Sequence, residues 1–514
     1  MAIGHSGVMS ADLRLWRNGE RWDDRLARAA ARPRARDDDP PAGEELLADW
    51  RRAVDVDAAG LFERRLSWAG LDETAARALL ANDPEITEAP AWWPTFEHLR
   101  AALVEAAEDA PDDETWIEDV AASWGPGEIE TPFAHLWWPA ARRAWRDVAT
   151  GAPSGRMEIV FDEAAARDAQ LWLTGRLAAI TVHPLMERFT VGRRPGHSIL
   201  LALGVEAQQS GRTHYASFTR AQAAGGLAEL CEEFPVLPRL IAVTVRNWSR
   251  TLAELLTRLE ADAEIIADAF GAVRPLRVLR LGYGAGDSHR SGRMVAILAL
   301  AGADGPVRVV YKPKDMRLER EYHSLVAESI GAPLDGPPVQ ALAIGETHGY
   351  VSFVEHRPAG SEAQLAAFYR NAGRLLALLH LLGATDCHRE NIIACADMPV
   401  LIDPETLFAC RVREQTGAEE RARADAGPVN TDLGESVLRT GMLPCWQFSA
   451  AGRRATDISA LGAEADVSEE ETAAGWINVN TDAMAWGARP APRPVPRPVL
   501  RLALRPANRP ANLA

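Results

Sequence analysis

Between Thr385 and Phe408 the chain reads TDCHRENIIACADMPVLIDPETLF, and five of its polar residues are of types that together serve phosphoryl transfer. Asp386 supplies a carboxylate that can orient an attacking hydroxyl, and His388 stands two residues on. Asn391, Asp403 and Glu405 supply hard oxygen atoms of the kind that hold magnesium on nucleotide phosphates. Their order is a polar loop, an apolar run from Pro399 to Ile402, and a second pair of acids at its end. A polar turn with the acids as turn and cap residues would account for Asp386 alone. It does not account for five such residues in this order.

Protein kinases space a base, a metal-binding Asn and a metal-binding Asp in a similar order, and they also need a lysine for the phosphates. Lys312 is a candidate, because it ends the apolar strand-like run VRVVYK just before Pro313. A lysine in such a run must either reach outward to water or meet a negative partner. The helical segment MRLEREYHSLVAESI follows it, and either Glu319 or Glu321 could supply the carboxylate. Upstream, Gly282, Gly284, Gly286 and Gly292 could bring backbone close to phosphates, with Asp287 and His289 at the tip of the loop. The spacing fits neither the P-loop nor the dinucleotide fingerprint, and an ordinary glycine-rich hairpin explains it equally well.

The elements that must position these residues can be read from periodicity and turn signals. Ser361 caps a helix whose apolar positions Leu365, Phe368, Ala372, Leu375, Leu376 and Leu379 share one face, and Gly383 ends it just before Asp386. GYVSFVEHRPAG reads as a strand and turn where a nucleotide-binding hinge would lie, and strands begin near Val273. Everything before that is helical, with apolar residues recurring at three and four. Trp92, Trp93, Trp116, Trp124, Trp137, Trp138 and Trp145 read as packing residues. His183 lies on a helical stripe and is assigned no role. The expected organisation is α+β: a helical region over 1–150, a helical insertion or substrate region over 151–270, a kinase-like small lobe over 271–358 and a large lobe over 359–484. A Pro/Arg-rich tail over 485–514, with Arg at every fourth position from Arg489 to Arg509, is expected to be disordered.

Composition narrows the function classes. With 514 residues, 47% hydrophobic and 25% charged, the chain is long enough for two to four domains and has an ordinary globular balance. A formal net charge of -16 disfavours non-specific nucleic-acid binding. The five cysteines form no C-x-x-C pair, and the N-terminus lacks a basic start followed by an apolar core. Reduced thiols and a cytoplasmic location are expected, with no membrane span.

Several separate motifs, VVYKPKDM, GDSHRSGR, ATDCHRENIIA, PVLIDPETLF and TDLGESVLRTGMLP, resemble the dehydratase domain of the type II lanthipeptide (lantibiotic) synthetases, in family order from roughly Gly151 to Met484. The resemblance implies a bilobal lipid-kinase-like domain embedded in extra helices. It implies use of ATP and magnesium to phosphorylate Ser and Thr of a ribosomal precursor peptide, followed by loss of phosphate to give dehydroamino acids. By the same resemblance Lys312 contacts ATP phosphate, with Glu405 beside the cofactor. Asp386 and His388 act in transfer, Asn391 and Asp403 bind magnesium, and Asp287 and His289 occupy the phosphate-loop positions that serve transfer and elimination. The family's later elimination segment, with its Arg and Thr, finds no match here, and neither does its zinc cyclase, so no zinc is expected and a separate cyclase is a candidate partner. The tail is read as an out-of-frame or truncated end. Two other classes share these residues: a kinase-like phosphotransferase acting on a small molecule, and an inactive fragment that only binds peptide.

Overall fold

The structure is a computed structural model that describes residues 42–55, 60–81, 89–125, 127, 129–151, 158–193, 211–284, 288, 292–333, 339–409, 436–448, 455–461 and 472–490. It mixes helix and sheet, and it divides into two compact units. The first comprises Met1–Ala152, Gln170–Ala253 and Asn478–Ala485; the second comprises Pro153–Ala169, Glu254–Ile477 and Trp486–Ala514.

The first unit is helical. It holds α1 (Ala42–Val54), α2 (Leu61–Trp68), α3 (Glu73–Ala81), α4 (Trp93–Asp109), α5 (Asp113–Ser123) and α6 (Ala134–Thr150). To these it adds most of α7 (Glu163–Val191), then α8 (Thr213–Ala221), α9 (Leu227–Glu233) and most of α10 (Leu237–Ala261). Tryptophan supplies its bulk: Trp116, Trp137 and Trp138 are fully buried. Each indole N–H finds a hydroxyl, Trp116 on Thr219 at 3.2 Å, Trp137 on Thr181 at 2.9 Å and Trp138 on Ser123 at 2.8 Å. Burying an aromatic ring while satisfying its one donor makes these residues core, as their scatter along helices suggested.

The second unit is built on a six-stranded sheet. After α11 (Ala263–Phe270) come β2 (Leu276–Tyr283), β3 (Ala296–Gly302) and β4 (Gly305–Lys312), then β5 (Ala341–Ile344) and β6 (His348–Ser352). The order is β1-β2-β3-β4-β6-β5, with the short β1 (Ile159–Phe161) parallel to β2 and every other pair antiparallel. β2 alternates on either side of a register shift between Val278 and Arg280: Leu276, Val278, Leu281 and Tyr283 turn inward while Arg277 and Arg280 bind Asp162 and Asp168.

Between β4 and β5 lies α12 (Arg317–Ser329), and after β6 comes α13 (Glu362–Leu381). The Ser361 side chain accepts from the Gln364 N–H at 3.2 Å, and Phe368, Ala372, Leu375 and Leu379 form the buried face of α13. Gly383, at φ +65°, carries the chain out of the helix. The hairpin of β7 (Ile392–Cys395) and β8 (Met398–Leu401) turns through Ala396 and Asp397 and packs on α13. One apolar cluster joins these elements: Tyr322 of α12, Leu375 and Leu379 of α13, Ile392 and Leu401 of the hairpin, and Cys387, Leu407 and Met442.

Residues 485–490, expected to open a disordered tail, are instead strand β10 (Ala485–Pro490), paired with β9 (Thr472–Ile477). Trp486 meets Trp476 edge-to-face at 5.1 Å, a cross-strand aromatic contact that composition alone does not reveal. The rest of the tail, 491–514, lies outside the described residues.

Candidate functional site

Lys312 closes β4 opposite Gly349 of β6. A Cβ at Gly349 would sit 2.6 Å from the Met316 side chain and 2.1 Å from the Leu342 carbonyl oxygen, so only glycine lets the backbone pass here. The Lys312 side chain is 7% exposed and donates to Glu319 at 2.8 and 3.0 Å. It also donates to the carbonyl oxygen of Ile402 at 2.6 Å. The structure thus decides between the two glutamates. Glu319 is buried with Tyr322 and His323 on the inner face of α12, whereas Glu321 pairs with Arg320 and is 67% exposed. A buried ammonium with a carboxylate and a carbonyl as partners has the charge compensation that burial demands.

The residues after α13 form a tight polar loop. Asp386 adopts φ +61°, a conformation that Asp tolerates better than most side chains. It is held there on several sides. The Asn391 amide donates to the Asp386 carbonyl at 2.8 Å, Thr406 bonds the Thr385 carbonyl, and the Cys387 N–H donates to Thr440 O at 2.7 Å. Gly441 packs against the Cys387 backbone in the left-handed conformation, at φ +78°, that favours glycine. The Arg439 guanidinium donates to Gly383 O at 3.0 Å, tying the same segment to the start of the loop.

The Asp386 side chain remains 56% exposed, so it can meet a substrate. His388 Nδ1 accepts the Glu390 N–H at 3.2 Å, which leaves the proton of a neutral ring on Nε2. Nε2 lies 3.2 Å from Asp386 Oδ1, while Asn391 Nδ2 stands 3.4 Å from Oδ2. Cys387, turned inward, is pushed up to about 12 by burial and then by the charge of Asp386.

The hairpin brings the second set of acids back to this loop. The Ile402 N–H donates to Asn391 O at 2.9 Å, so Asp403 begins where β8 leaves Asn391. A short 3-10 turn, Pro404–Thr406, carries Glu405. Sequence reasoning overlooked Lys314. Its ammonium lies 2.8 Å from Asp403 Oδ1 and 2.8 Å from Glu405 Oε2. Burial alone would lower its pKa, but the two carboxylates outweigh that, and the net shift is upward. The only local hint was a second lysine two residues after Lys312 in VVYKPKDM.

Lys312, Asp386, His388, Asn391, Asp403 and Glu405 therefore belong to one unit, on elements that touch one another through Ile402 and Asn391. Asp287 and His289 lie outside the described residues. Among the described residues no three His, Cys, Asp or Glu side chains are grouped as a metal cage. One or two carboxylates with an amide oxygen is nonetheless the donor set that magnesium takes beside phosphate, and a single cation, the Lys314 ammonium, already touches both acids. No helix among the described residues is long and apolar enough to cross a membrane.

The family described as "Domain of unknown function (DUF4135)" matches residues 234–507, more than half of the chain. The chain belongs to this family. The matched range contains every site residue described here, from Lys312 to Glu405. The chain is also similar to the lacticin 481/lactococcin biosynthesis protein LcnDR2 of Lactococcus lactis subsp. lactis, 22% identical over 231 residues, 42% of this chain. The match spans 23% of the length of that curated relative.

Proposed function

We propose that this chain is the dehydratase part of a lanthipeptide synthetase: with ATP and magnesium it phosphorylates Ser and Thr of a ribosomal precursor peptide, and it then expels the phosphate to leave dehydroamino acids. The observation that carries this is the buried Lys312–Glu319 pair whose ammonium also holds the Ile402 carbonyl, one residue before Asp403. A structural ion pair alone would not need to be anchored to the backbone that presents a second acid. The similarity to a lacticin 481/lactococcin biosynthesis protein supports a peptide as the substrate.

Asn391 and Asp403 would hold magnesium, with Glu405 beside them; when bound, the metal neutralises charge on the transferring phosphoryl group. Lys312, fixed by Glu319, would place a positive charge at the nucleotide phosphates. Asp386 would orient the peptide hydroxyl and receive its proton as the oxygen attacks phosphorus and ADP leaves. The Asn391 amide, with the His388 ring 3.2 Å from the other carboxylate oxygen, would keep that carboxylate aimed. In the second step a base removes the α-proton of the phosphoresidue, the electron pair forms the Cα–Cβ double bond, and phosphate departs with the former hydroxyl oxygen. Asp287 and His289 are proposed to serve transfer and this elimination.

Mass spectrometry of a co-encoded precursor peptide, incubated with the chain, ATP and magnesium, tests the proposal. Loss of water is the expected result, and accumulated phosphopeptide would confine the chain to the first step. An unchanged peptide, together with no nucleotide binding, would overturn it.

A further inference from the structure

Two lysines approach the site from the end of β4, and they are held in different ways. Lys312 is buried and fixed by three hydrogen bonds. Lys314 is 33% exposed, and its partners Asp403 and Glu405 are 36% and 52% exposed. Pro313 separates the two side chains and limits the backbone between them. The Lys314 ammonium can therefore exchange partners at little cost in burial, whereas that of Lys312 cannot.

Asp403 Oδ1 faces the Lys314 ammonium at 2.8 Å. A divalent cation arriving by itself would have to take this oxygen from Lys314 or bind Asp403 Oδ2 beside it, and in either case would stand next to the ammonium's positive charge. We propose that Lys314 is a resident counter-ion that yields Asp403 only when nucleotide polyphosphate offers its ammonium a replacement anion, so that metal and nucleotide bind as a coupled pair. The inference rests on the phosphotransferase proposal and deepens it. A metal–nucleotide complex is net anionic and carries that replacement with it, so the displaced charge is never left unpaired. Linkage then requires each ligand to strengthen the other. Glu405 becomes the residue that keeps the ammonium near the site during the exchange.

The experiment measures Mn2+ binding to the full chain from the electron paramagnetic resonance signal of the free ion, with and without a non-hydrolysable ATP analogue. Wild type, Lys314→Met, Lys314→Arg and Asp403→Asn are compared, each checked for cooperative thermal unfolding. In wild type the analogue should tighten Mn2+ binding by about tenfold or more. Lys314→Met should bind Mn2+ alone about tenfold more tightly and lose most of the dependence on nucleotide. Lys314→Arg, which keeps the charge, should behave like wild type, and Asp403→Asn should lose Mn2+ in every condition. Free Mn2+ affinity unchanged in Lys314→Met overturns this proposal alone, whereas full Mn2+ binding in Asp403→Asn overturns it and also removes Asp403 as a metal ligand from the proposed function. If wild type binds neither Mn2+ nor the analogue, the phosphotransferase proposal falls and takes this one with it.

Discussion

Lys312 Nζ donates to the Ile402 carbonyl oxygen at 2.6 Å while the same ammonium holds both oxygens of Glu319. One buried cation thus ties β4, α12 and the end of β8 together, immediately before Asp403. Position of the acid and compensation of the buried charge are the same event, and variants at this point should separate stability from chemistry.

Glu319→Gln leaves a buried ammonium without its counter-charge and should cost about 3–5 kcal/mol in urea unfolding. Glu321→Gln, on the exposed face, should stay within about 0.5 kcal/mol of wild type. The double variant Lys312→Met with Glu319→Leu should recover most of the stability, because apolar residues of similar volume replace a buried pair well. It should still transfer no phosphate. Activity in the double variant would remove Lys312 from the proposed mechanism.

Asn391→Ala removes the bond that holds the Asp386 carbonyl, leaving the φ +61° conformation with less support. The stability cost should be only about 1 kcal/mol. Phosphorylation should fall by about a hundredfold or more, the scale expected when a reacting group is misplaced by about an ångström. Amide exchange at Cys387, whose N–H donates to Thr440 O, should quicken in the same variant. Protection unchanged at Cys387 would mean that Asn391 does not organise the loop.

The thiols should differ sharply in reactivity. Burial pushes Cys231 and Cys387 up to about 12, so neither offers a thiolate at neutral pH. Cys445 is exposed. Among the described cysteines, alkylation of the native chain followed by peptide mapping should label Cys445 first, with Cys231 and Cys387 modified only after unfolding. Early labelling of Cys387 would show that the loop opens readily.

How much of this could be read from the chain alone depends on the range over which each feature is encoded. The cap at Ser361, the inner face of α13 and the tight hairpin before Asp403 rest on local periodicity and turn chemistry, and they were legible. The choice of Glu319 was not. Leu318 and Leu325 suggest a competing apolar stripe on the same helix, yet both are 38% exposed, and the buried stripe runs through Glu319, Tyr322 and Val326. Lys314 meets acids some ninety positions away, and Thr440 meets Cys387 across a long intervening segment, so nothing beside them in sequence announces either pair. Tyr215, whose hydroxyl donates to Asn480 at 2.8 Å, shows the same limit in the first unit.

That tyrosine also sits in the network that should give the first unit its acid sensitivity. Its hydroxyl, already donating to Asn480, receives the His135 Nδ1–H at 3.1 Å, and His135 Nε2 is buried with no partner of its own. Burial, followed by the charge of Arg212, lowers the histidine to about 3. The folded state therefore favours the neutral ring, while the unfolded chain takes up a proton near its ordinary value of about 6.5. Below that value the unfolded state binds more protons, so stability rises with pH through this window. The contribution of His135 should be complete above about pH 6.5 and should be lost progressively as pH falls toward about 3. His135→Phe keeps a ring in the same space and cannot protonate, so its stability should change less than that of wild type between about pH 7 and about pH 4. The difference should reach a few kcal/mol, measured by urea unfolding followed through tryptophan fluorescence. Identical pH profiles for the two proteins would mean that His135 is protonated, or accessible to water, in the folded chain.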